Sequence, residues 1–258
     1  YEWRLMCLNV SLGLLRPGDF LIVAARVEVG KTTFLASEMS FIAPQLPKDR
    51  PIIWVNNEEK SESVFFRVVQ AATGKLTKDI LASQESTMEE YTKLMHEDVH
   101  KIRITDGNTN SVSTLESVFK ELNPGLIVFD QLDKVSGFNS EDQEHLRLGK
   151  IYKWEREMAR MYGPVIAISQ LSEGADHIKD PPFIGMEFLR GSKVDKPGEA
   201  DAIITIGKWG APANEEEEKM RTIYVPKNKL PGGGKHFDEK LRHGKFIVKL
   251  DALRARYE

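Results

Sequence analysis

Short apolar, β-branched segments alternate with helical patterns along most of this chain, and no other sequence feature constrains the fold as strongly. Two of them, at 126–130 and 165–170, open with four consecutive apolar residues instead of alternating with polar ones. A strand needs that pattern when both faces of its sheet are covered, and such sheets are built from parallel strands joined by crossover helices. The six predicted strands are Phe20–Ala25, Pro51–Asn57, Lys101–Thr105, Leu126–Asp130, Val165–Gln170 and Ala202–Ile206.

The remaining segments complete the predicted architecture. Apolar residues at helical spacing predict helices over 34–42 and 142–162. In the C-terminal third, segments 223–226 and 245–250 flank a glycine-rich stretch at 231–235 and predict antiparallel strands added to the sheet. We interpret the acidic run Glu215–Glu218 as a solvated loop tip.

The predicted fold is therefore α/β, a mainly parallel sheet flanked by helices with antiparallel C-terminal strands. We expect one domain over residues 1–258, with 1–16 as an N-terminal approach segment and 221–258 as a C-terminal strand extension.

Composition excludes several classes of protein. No apolar run approaches the roughly 20 residues that span a bilayer. One cysteine, Cys7, cannot form an internal disulfide, and no secretory signal is visible, so we expect a cytoplasmic location. With 36 Lys and Arg against 39 Asp and Glu, the net charge of −3 excludes a general basic surface for nucleic acid. Any nucleic-acid contact must then be concentrated in a few loops.

A candidate phosphate-binding loop follows the first predicted strand. A strand, a tight loop and a helix start direct backbone N–H groups and the positive end of a helix dipole at an anion. In this interpretation Gly30 allows close approach, Lys31 reaches the β- and γ-phosphates, and Thr32 offers its hydroxyl to Mg²⁺. The alternative is an ordinary helix start. The loop reads Ala25-Arg26-Val27-Glu28-Val29-Gly30-Lys31-Thr32-Thr33.

Polar residues end three other predicted strands. Asp130 can hold the hydration shell of Mg²⁺ or cap a turn, and Glu58 can polarise an attacking water, with Glu59 as its competitor or as half of a solvated pair. Gln170 can sense a γ-phosphate or hydrogen-bond a loop. Because ligands of open parallel sheets bind beyond the carboxyl ends of the strands, these groups are expected to converge on the phosphate loop.

These motifs together resemble the RecA-type motor domain of hexameric replicative DNA helicases, the bacterial DnaB and phage helicase-primase group. The resemblance covers most of the chain, from about Leu8 to about Lys249. Val27 and Glu28 depart from the family's loop, and Lys227-Asn228-Lys229 stands where the family has a lysine and an arginine finger. The matching motifs are Ala24-Ala25-Arg26, Asn57-Glu58-Glu59 with Arg67, Ile127–Leu132, Pro164–Leu171 and Phe188–Ser192 with Ala200-Asp201.

The resemblance implies an activity and a set of partners. It implies Mg²⁺-dependent hydrolysis of ATP or another NTP, with Glu58 activating water and Lys31 and Gln170 contacting the γ-phosphate. Lys227 and Lys229 would act on a neighbouring subunit of a homo-hexamer. Single-stranded DNA would bind Arg190, Gly191, Ser192 and Lys193, and a primase, polymerase or loader would be a partner in a bacterial cell or phage-infected host.

Two other functions fit the same sequence. One is a recombination or repair ATPase of the same fold, which forms filaments on DNA instead of rings. The other is a nucleotide-binding scaffold or loader partner with weak hydrolysis, which Glu28 and the absent arginine favour. Fold alone does not choose among them.

Overall fold

The computed structural model describes residues 1–106, 111–131, 135–138, 144–190 and 198–258. Its strands are β1 Phe20–Ala25, β2 Ile52–Asn56, β3 Ile102–Asp106, β4 Leu126–Asp130, β5 Val165–Gln170, β6 Ala202–Gly207, β7 Met220–Asn228, β8 Lys245–Asp251 and β9 Arg256–Tyr257. Its α-helices are α1 Met6–Ser11, α2 Lys31–Ile42, α3 Ser61–Thr73, α4 Thr77–Ala82, α5 Gln84–Leu94, α6 Val112–Leu122, α7 Glu144–Met161 and α8 Glu215–Lys219. Short 3₁₀ segments lie at Ala43–Gln45, Glu173–His177, Met186–Phe188 and Glu239–Leu241.

These strands form a single mixed sheet in the order β3-β2-β4-β5-β1-β6-β7-β8-β9. The strands from β1 to β6 pair in parallel, and β7, β8 and β9 extend the sheet with antiparallel pairing. This arrangement confirms the predicted mainly parallel sheet with antiparallel C-terminal strands.

Helices cover both faces of the parallel part of the sheet. In β1, Leu21 and Val23 pack into one hydrophobic cluster, while Phe20 and Ile22 pack into a second cluster on the opposite face. All six residues of β1 are buried. Each position of a central strand therefore faces a core, which explains why the strand sequences are continuously apolar.

Helix α2 begins earlier than predicted. Its first residue is Lys31 and not Phe34, and Gly30 caps it in the left-handed conformation, with φ of 108°. The left-handed conformation of this glycine turns the chain directly into the helix, so that Lys31, Thr32 and Thr33 form the first helical turn. Helix α7 lies inside the predicted 142–162 range. No helix in the described ranges is both long and apolar enough to cross a membrane.

The interpretation of Glu215–Glu218 as a loop tip is wrong. These residues form most of α8, although they remain largely exposed. The side chain of Asn214 accepts hydrogen bonds from the N–H groups of Glu216 and Glu217, at 3.0 and 2.9 Å. This cap, together with acidic side chains at the positive end of the helix dipole, stabilises the short helix.

The C-terminal strands are also longer than predicted. β7 runs from Met220 to Asn228 and pairs with β6 on one side and β8 on the other. Backbone hydrogen bonds to two neighbours extend a strand beyond the apolar segment that a sequence reveals. The two-residue strand β9, which the sequence does not predict, pairs with β8 through Leu250 and Asp251.

Candidate functional site

The chain between β1 and α2 forms a loop at the carboxyl edge of the parallel strands. The first backbone hydrogen bond of α2 runs from the Phe34 N–H to the Gly30 carbonyl, at 2.9 Å. The N–H groups that precede Phe34 in the first turn therefore have no acceptor within the helix. These N–H groups and the helix dipole favour binding of an anion. A cavity of about 300 Å³ lies over this loop, lined by Val27, Glu28, Gly30, Lys31, Thr32, Thr33, Glu58, Glu59 and Arg67.

Lys31 is far less exposed than its place in a surface loop leads one to expect. It is only 6% exposed, and its Nζ donates a hydrogen bond to the Arg26 carbonyl at 3.3 Å. The ammonium group therefore lies close to the backbone of the loop, and Lys31 forms part of the wall of the cavity. The first turn of α2 holds Lys31 in place, in contrast to a lysine in a flexible surface loop.

Thr32 and Asp130 meet beside the loop. The Thr32 hydroxyl donates to Asp130 Oδ2 at 3.2 Å, and Asp130 is 1% exposed. The second carboxylate oxygen, Oδ1, is buried and has no hydrogen-bond partner in the described part of the chain. Burial raises the pKa of Asp130 to about 7, and the nearby Glu58 adds to the effect.

This pair fits a magnesium ion. Mg²⁺ prefers oxygen ligands and is usually held by one or two protein groups together with water and substrate phosphates. A buried carboxylate oxygen without a partner is costly in the absence of a cation. Asp130 and Thr32 would therefore hold the ion at the phosphate loop.

The raised pKa of Asp130 leads to a prediction on stability. Ionisation of this carboxyl opposes folding, because its pKa in the folded chain lies above its unfolded value. Its stabilising neutral form is lost as pH rises toward 7. Without Mg²⁺, we expect Asp130→Asn to unfold at a higher temperature than wild type, by a margin that grows from pH 5 to pH 8. Thermal unfolding in EDTA measures the margin; a margin that shrinks with pH would contradict a raised pKa.

The structure distinguishes the two adjacent glutamates, which lie just beyond the end of β2 and not within it. Glu59 forms an ion pair with Arg67 on α3 at 2.6 Å. Glu58 is exposed at the cavity and accepts a hydrogen bond from Gln131 Nε2 at 2.8 Å. Glu58 thus borders the phosphate loop with an oriented carboxylate, whereas the charge of Glu59 is already paired.

Gln170 and Arg190 contact each other, although the sequence suggested separate roles for them. Ala25 pairs with Gln170 across β1 and β5, which brings Gln170 next to the start of the loop. Arg190 donates through NH1 to Gln170 Oε1 at 3.2 Å, and its N–H donates to the Gln170 carbonyl at 2.9 Å. Gly191, Ser192 and Lys193 lie outside the described residues.

Arg26 is engaged away from the cavity. Its guanidinium pairs with Asp176 at 2.8 Å and donates to the Leu171 carbonyl at 3.1 Å. It therefore fastens the start of the loop to the segment that follows β5. Val29, in the same loop, is buried and packs into a hydrophobic cluster.

Lys227 and Lys229 lie at the other edge of the sheet from the phosphate loop. Lys227 pairs with Ile203 near the start of β6, and the Lys229 N–H donates to the Asp201 carbonyl at 2.8 Å. The Lys227 ammonium donates to the Ala200 carbonyl at 2.5 Å, and burial together with Lys229 lowers its pKa to about 8. Neither lysine reaches the loop of its own chain, and Lys229 is the more exposed.

Sequence analysis assigned no role to three residues at this site. Gln131 donates a hydrogen bond that orients Glu58. Arg221 and Tyr257 donate hydrogen bonds to carbonyl groups of the loop. The position of Gln131 directly after Asp130 is a local signal for it. No local signal points to Arg221 or Tyr257, because they reach the loop through β7 and β9.

The parallel sheet, the phosphate loop after β1 and the Thr32–Asp130 pair define the RecA-like class of P-loop domains. Within that class, the chain belongs to the DnaB-like helicase C-terminal domain family, whose model matches residues 4–236.

A known relative agrees with this membership. The chain is 25% identical over 214 residues to the replicative DNA helicase DnaB of Buchnera aphidicola subsp. Baizongia pistaciae (strain Bp), covering 77% of this chain and 44% of the relative. This chain thus spans less than half of that relative.

Two solved structures share the fold. The first, described as an ATPase domain, has a TM-score of 0.74 at 18% identity, and the match covers 94% of this chain and 84% of that domain. The second, a DnaB-like replicative helicase studied for its interactions with primase, has a TM-score of 0.74 at 19% identity, and the match covers 94% of this chain and 57% of the helicase.

Proposed function

We propose that this chain is the motor domain of a replicative DNA helicase, which hydrolyses ATP or another NTP to move along single-stranded DNA and unwind duplex. The observation that carries the proposal is the buried Thr32–Asp130 pair at 3.2 Å, with one carboxylate oxygen unpartnered among the described residues, beside a phosphate loop and the exposed Glu58. Membership of the DnaB-like helicase family supports DNA as the polymer along which the domain moves. We take residues 1–258 as one motor domain.

In the proposed mechanism, these groups bind the phosphates, stabilise negative charge or accept a proton. Backbone N–H groups from Gly30 to Thr33 would bind the phosphates, and the Lys31 ammonium would stabilise negative charge on the transferring phosphoryl group. Glu58, held by Gln131, would accept a proton from the attacking water. Gln170 would hydrogen-bond the γ-phosphate. Mg²⁺ at Thr32 and Asp130, when bound, neutralises charge on the β- and γ-phosphates.

The proposed partners follow from the same interpretation. A homo-hexamer would enclose single-stranded DNA, with a primase, polymerase or loader at the replication fork in the cytoplasm of a bacterial cell or phage-infected host. One solved relative was itself studied with primase, which supports a primase as one partner.

Phosphate release with and without single-stranded DNA tests the proposed function. We expect Mg²⁺-dependent release that DNA stimulates, and closed rings in electron micrographs with nucleotide and a forked DNA. Release that DNA leaves unchanged would favour a nucleotide-binding scaffold. Helical filaments on DNA would favour a recombination ATPase.

DNA contacts are expected at the segment from Arg190 to Lys193. Because the chain has a net charge of −3, phosphate contacts must be local, and Arg190 is exposed beside Gln170. We expect Arg190→Ala and Lys193→Ala to weaken single-stranded DNA binding for all sequences alike. Each should reduce the magnitude of the negative slope of log affinity against log salt by about 0.7 per lost phosphate contact.

A matched control is Arg160→Ala, which removes an exposed arginine at the far end of α7. Fluorescence anisotropy with labelled oligonucleotides at several salt concentrations measures both quantities. If Arg190→Ala and Lys193→Ala both keep the affinity and slope of the control, DNA does not bind at this segment.

Assembly gives a prediction on Lys229. Because this lysine lies far from the loop of its own chain, we propose that it serves the active site of a neighbour. Lys229→Ala and Glu58→Gln subunits should each be slow alone, yet their mixture should regain activity where an intact Glu58 meets an intact Lys229. Phosphate release measured across mixing ratios tests this, and simple additivity of the two defects would show a self-contained site.

A further inference from the structure

The C-terminal strand β9 contacts the phosphate loop from the side opposite the cavity. The Tyr257 hydroxyl donates to the Gly30 carbonyl at 3.2 Å and lies 3.4 Å from the Val29 carbonyl. Arg221, at the start of β7, donates through Nε to the same Val29 carbonyl at 2.8 Å. Both residues are buried, so these contacts are shielded from water.

These contacts, together with the Phe34 N–H that donates to the Gly30 carbonyl at 2.9 Å, fix the direction of the loop N–H groups. In a trans peptide, the C=O and N–H groups point in opposite directions. The Val29 carbonyl belongs to the peptide of the Gly30 N–H, and the Gly30 carbonyl to that of the Lys31 N–H. Donors that hold both carbonyls on the protein side therefore turn both N–H groups away from it, toward the cavity.

The surroundings of Tyr257 hold its hydroxyl in place. Its ring packs edge-on against Phe34 of α2 with centroids 5.5 Å apart, and its N–H donates to Ser37 Oγ at 3.2 Å. A Cβ on Gly30 would lie 2.9 Å from the Tyr257 hydroxyl. The loop glycine and the C-terminal tyrosine thus fit each other closely.

We propose that Tyr257 and Arg221 are positioning residues for nucleotide, and that order in the C-terminal strand is coupled to occupancy of the phosphate loop. The inference rests on the proposed nucleotide binding. Tyr257 lies beyond the segment 4–236 that the family model matches. Because binding couplings are reciprocal, nucleotide must stabilise the strand as much as the strand stabilises the bound nucleotide.

The first test compares Tyr257→Phe with wild type. The change removes the hydroxyl and keeps the ring against Phe34, so we expect the Kd for MgATP to rise about three- to tenfold, the worth of one hydrogen bond. The matched control is Tyr91→Phe: Tyr91 is fully buried against Phe65, and its hydroxyl has no hydrogen-bond partner among the described residues. It should keep the wild-type Kd.

Thermal unfolding without nucleotide separates positioning from stability. Tyr257→Phe should unfold within a few degrees of Tyr91→Phe while binding MgATP more weakly. If Tyr257→Phe binds MgATP as tightly as wild type, the inference is overturned. If wild type itself fails to bind MgATP, the proposed function fails first and the inference falls with it.

Hydrogen exchange of wild type gives a second measurement that needs no variant. MgATP should slow exchange of the Tyr257 and Glu258 amides, which donate to Ser37 Oγ and to the Lys249 carbonyl. Exchange in β3, at the far edge of the sheet, serves as the internal reference. Unchanged protection at Tyr257 under saturating nucleotide would contradict the coupling.

Discussion

Lys31→Ala is expected to reduce nucleotide hydrolysis by more than about 10³-fold while the domain stays folded. The Lys31 ammonium lies 3.3 Å from the Arg26 carbonyl in the wall of the cavity, whereas the other cation of the loop, Arg26, is paired with Asp176. Removing the Lys31 ammonium leaves developing phosphoryl charge without its fixed positive partner. Alanine suits the first turn of α2, so the helix should persist.

Phosphate release under saturating nucleotide and Mg²⁺ measures the loss, and circular dichroism checks the fold. Lys93→Ala is the matched control, because Lys93 is exposed on α5 and its replacement removes the same charge far from the loop. Normal turnover by a folded Lys31→Ala protein would refute the assignment of the phosphate loop.

Glu58→Gln is expected to bind nucleotide and assemble normally but to hydrolyse about 10²–10⁴-fold more slowly. Glutamine keeps the shape of the side chain and loses the ability to accept a proton from water. Because the charge of Glu58 contributes to the raised pKa of Asp130, the substitution should lower that pKa. Binding of Mg²⁺ with nucleotide should then be as tight as in wild type, or tighter.

Glu59→Gln is the internal control for this prediction. It breaks the partly exposed ion pair with Arg67, an interaction worth about 0–1 kcal/mol, and should change turnover little. Single-turnover phosphate release compares the two variants, and titration with a fluorescent nucleotide shows whether binding persists. If Glu59→Gln is the slow variant, the attacking water lies against Glu59, and the contact between Glu58 and Gln131 is structural.

The sequence by itself determined the parallel sheet and the bounds of three of its strands. A strand that is covered on both faces is mostly apolar, so β1, β4 and β5 were predicted with the bounds that the structure has. Polar residues at or just after those ends then share one edge of the sheet by topology alone. Local backbone chemistry likewise predicted a phosphate loop at Gly30 and the helix start, although α2 begins three residues earlier than predicted.

Only the tertiary structure decided which of these groups meet. Glu58 and Glu59 are equivalent in sequence, and Gln131 and Arg67, from two different elements, give them separate roles. Packing also buried Lys31 and carried Lys227 and Lys229 to the opposite edge. Tyr257 contacts the loop although it lies 228 residues from Val29 in sequence, because β9, at the edge of the sheet, packs against α2. Contacts at such separations depend on how strands pair, and sequence periodicity reports only the face that each residue buries.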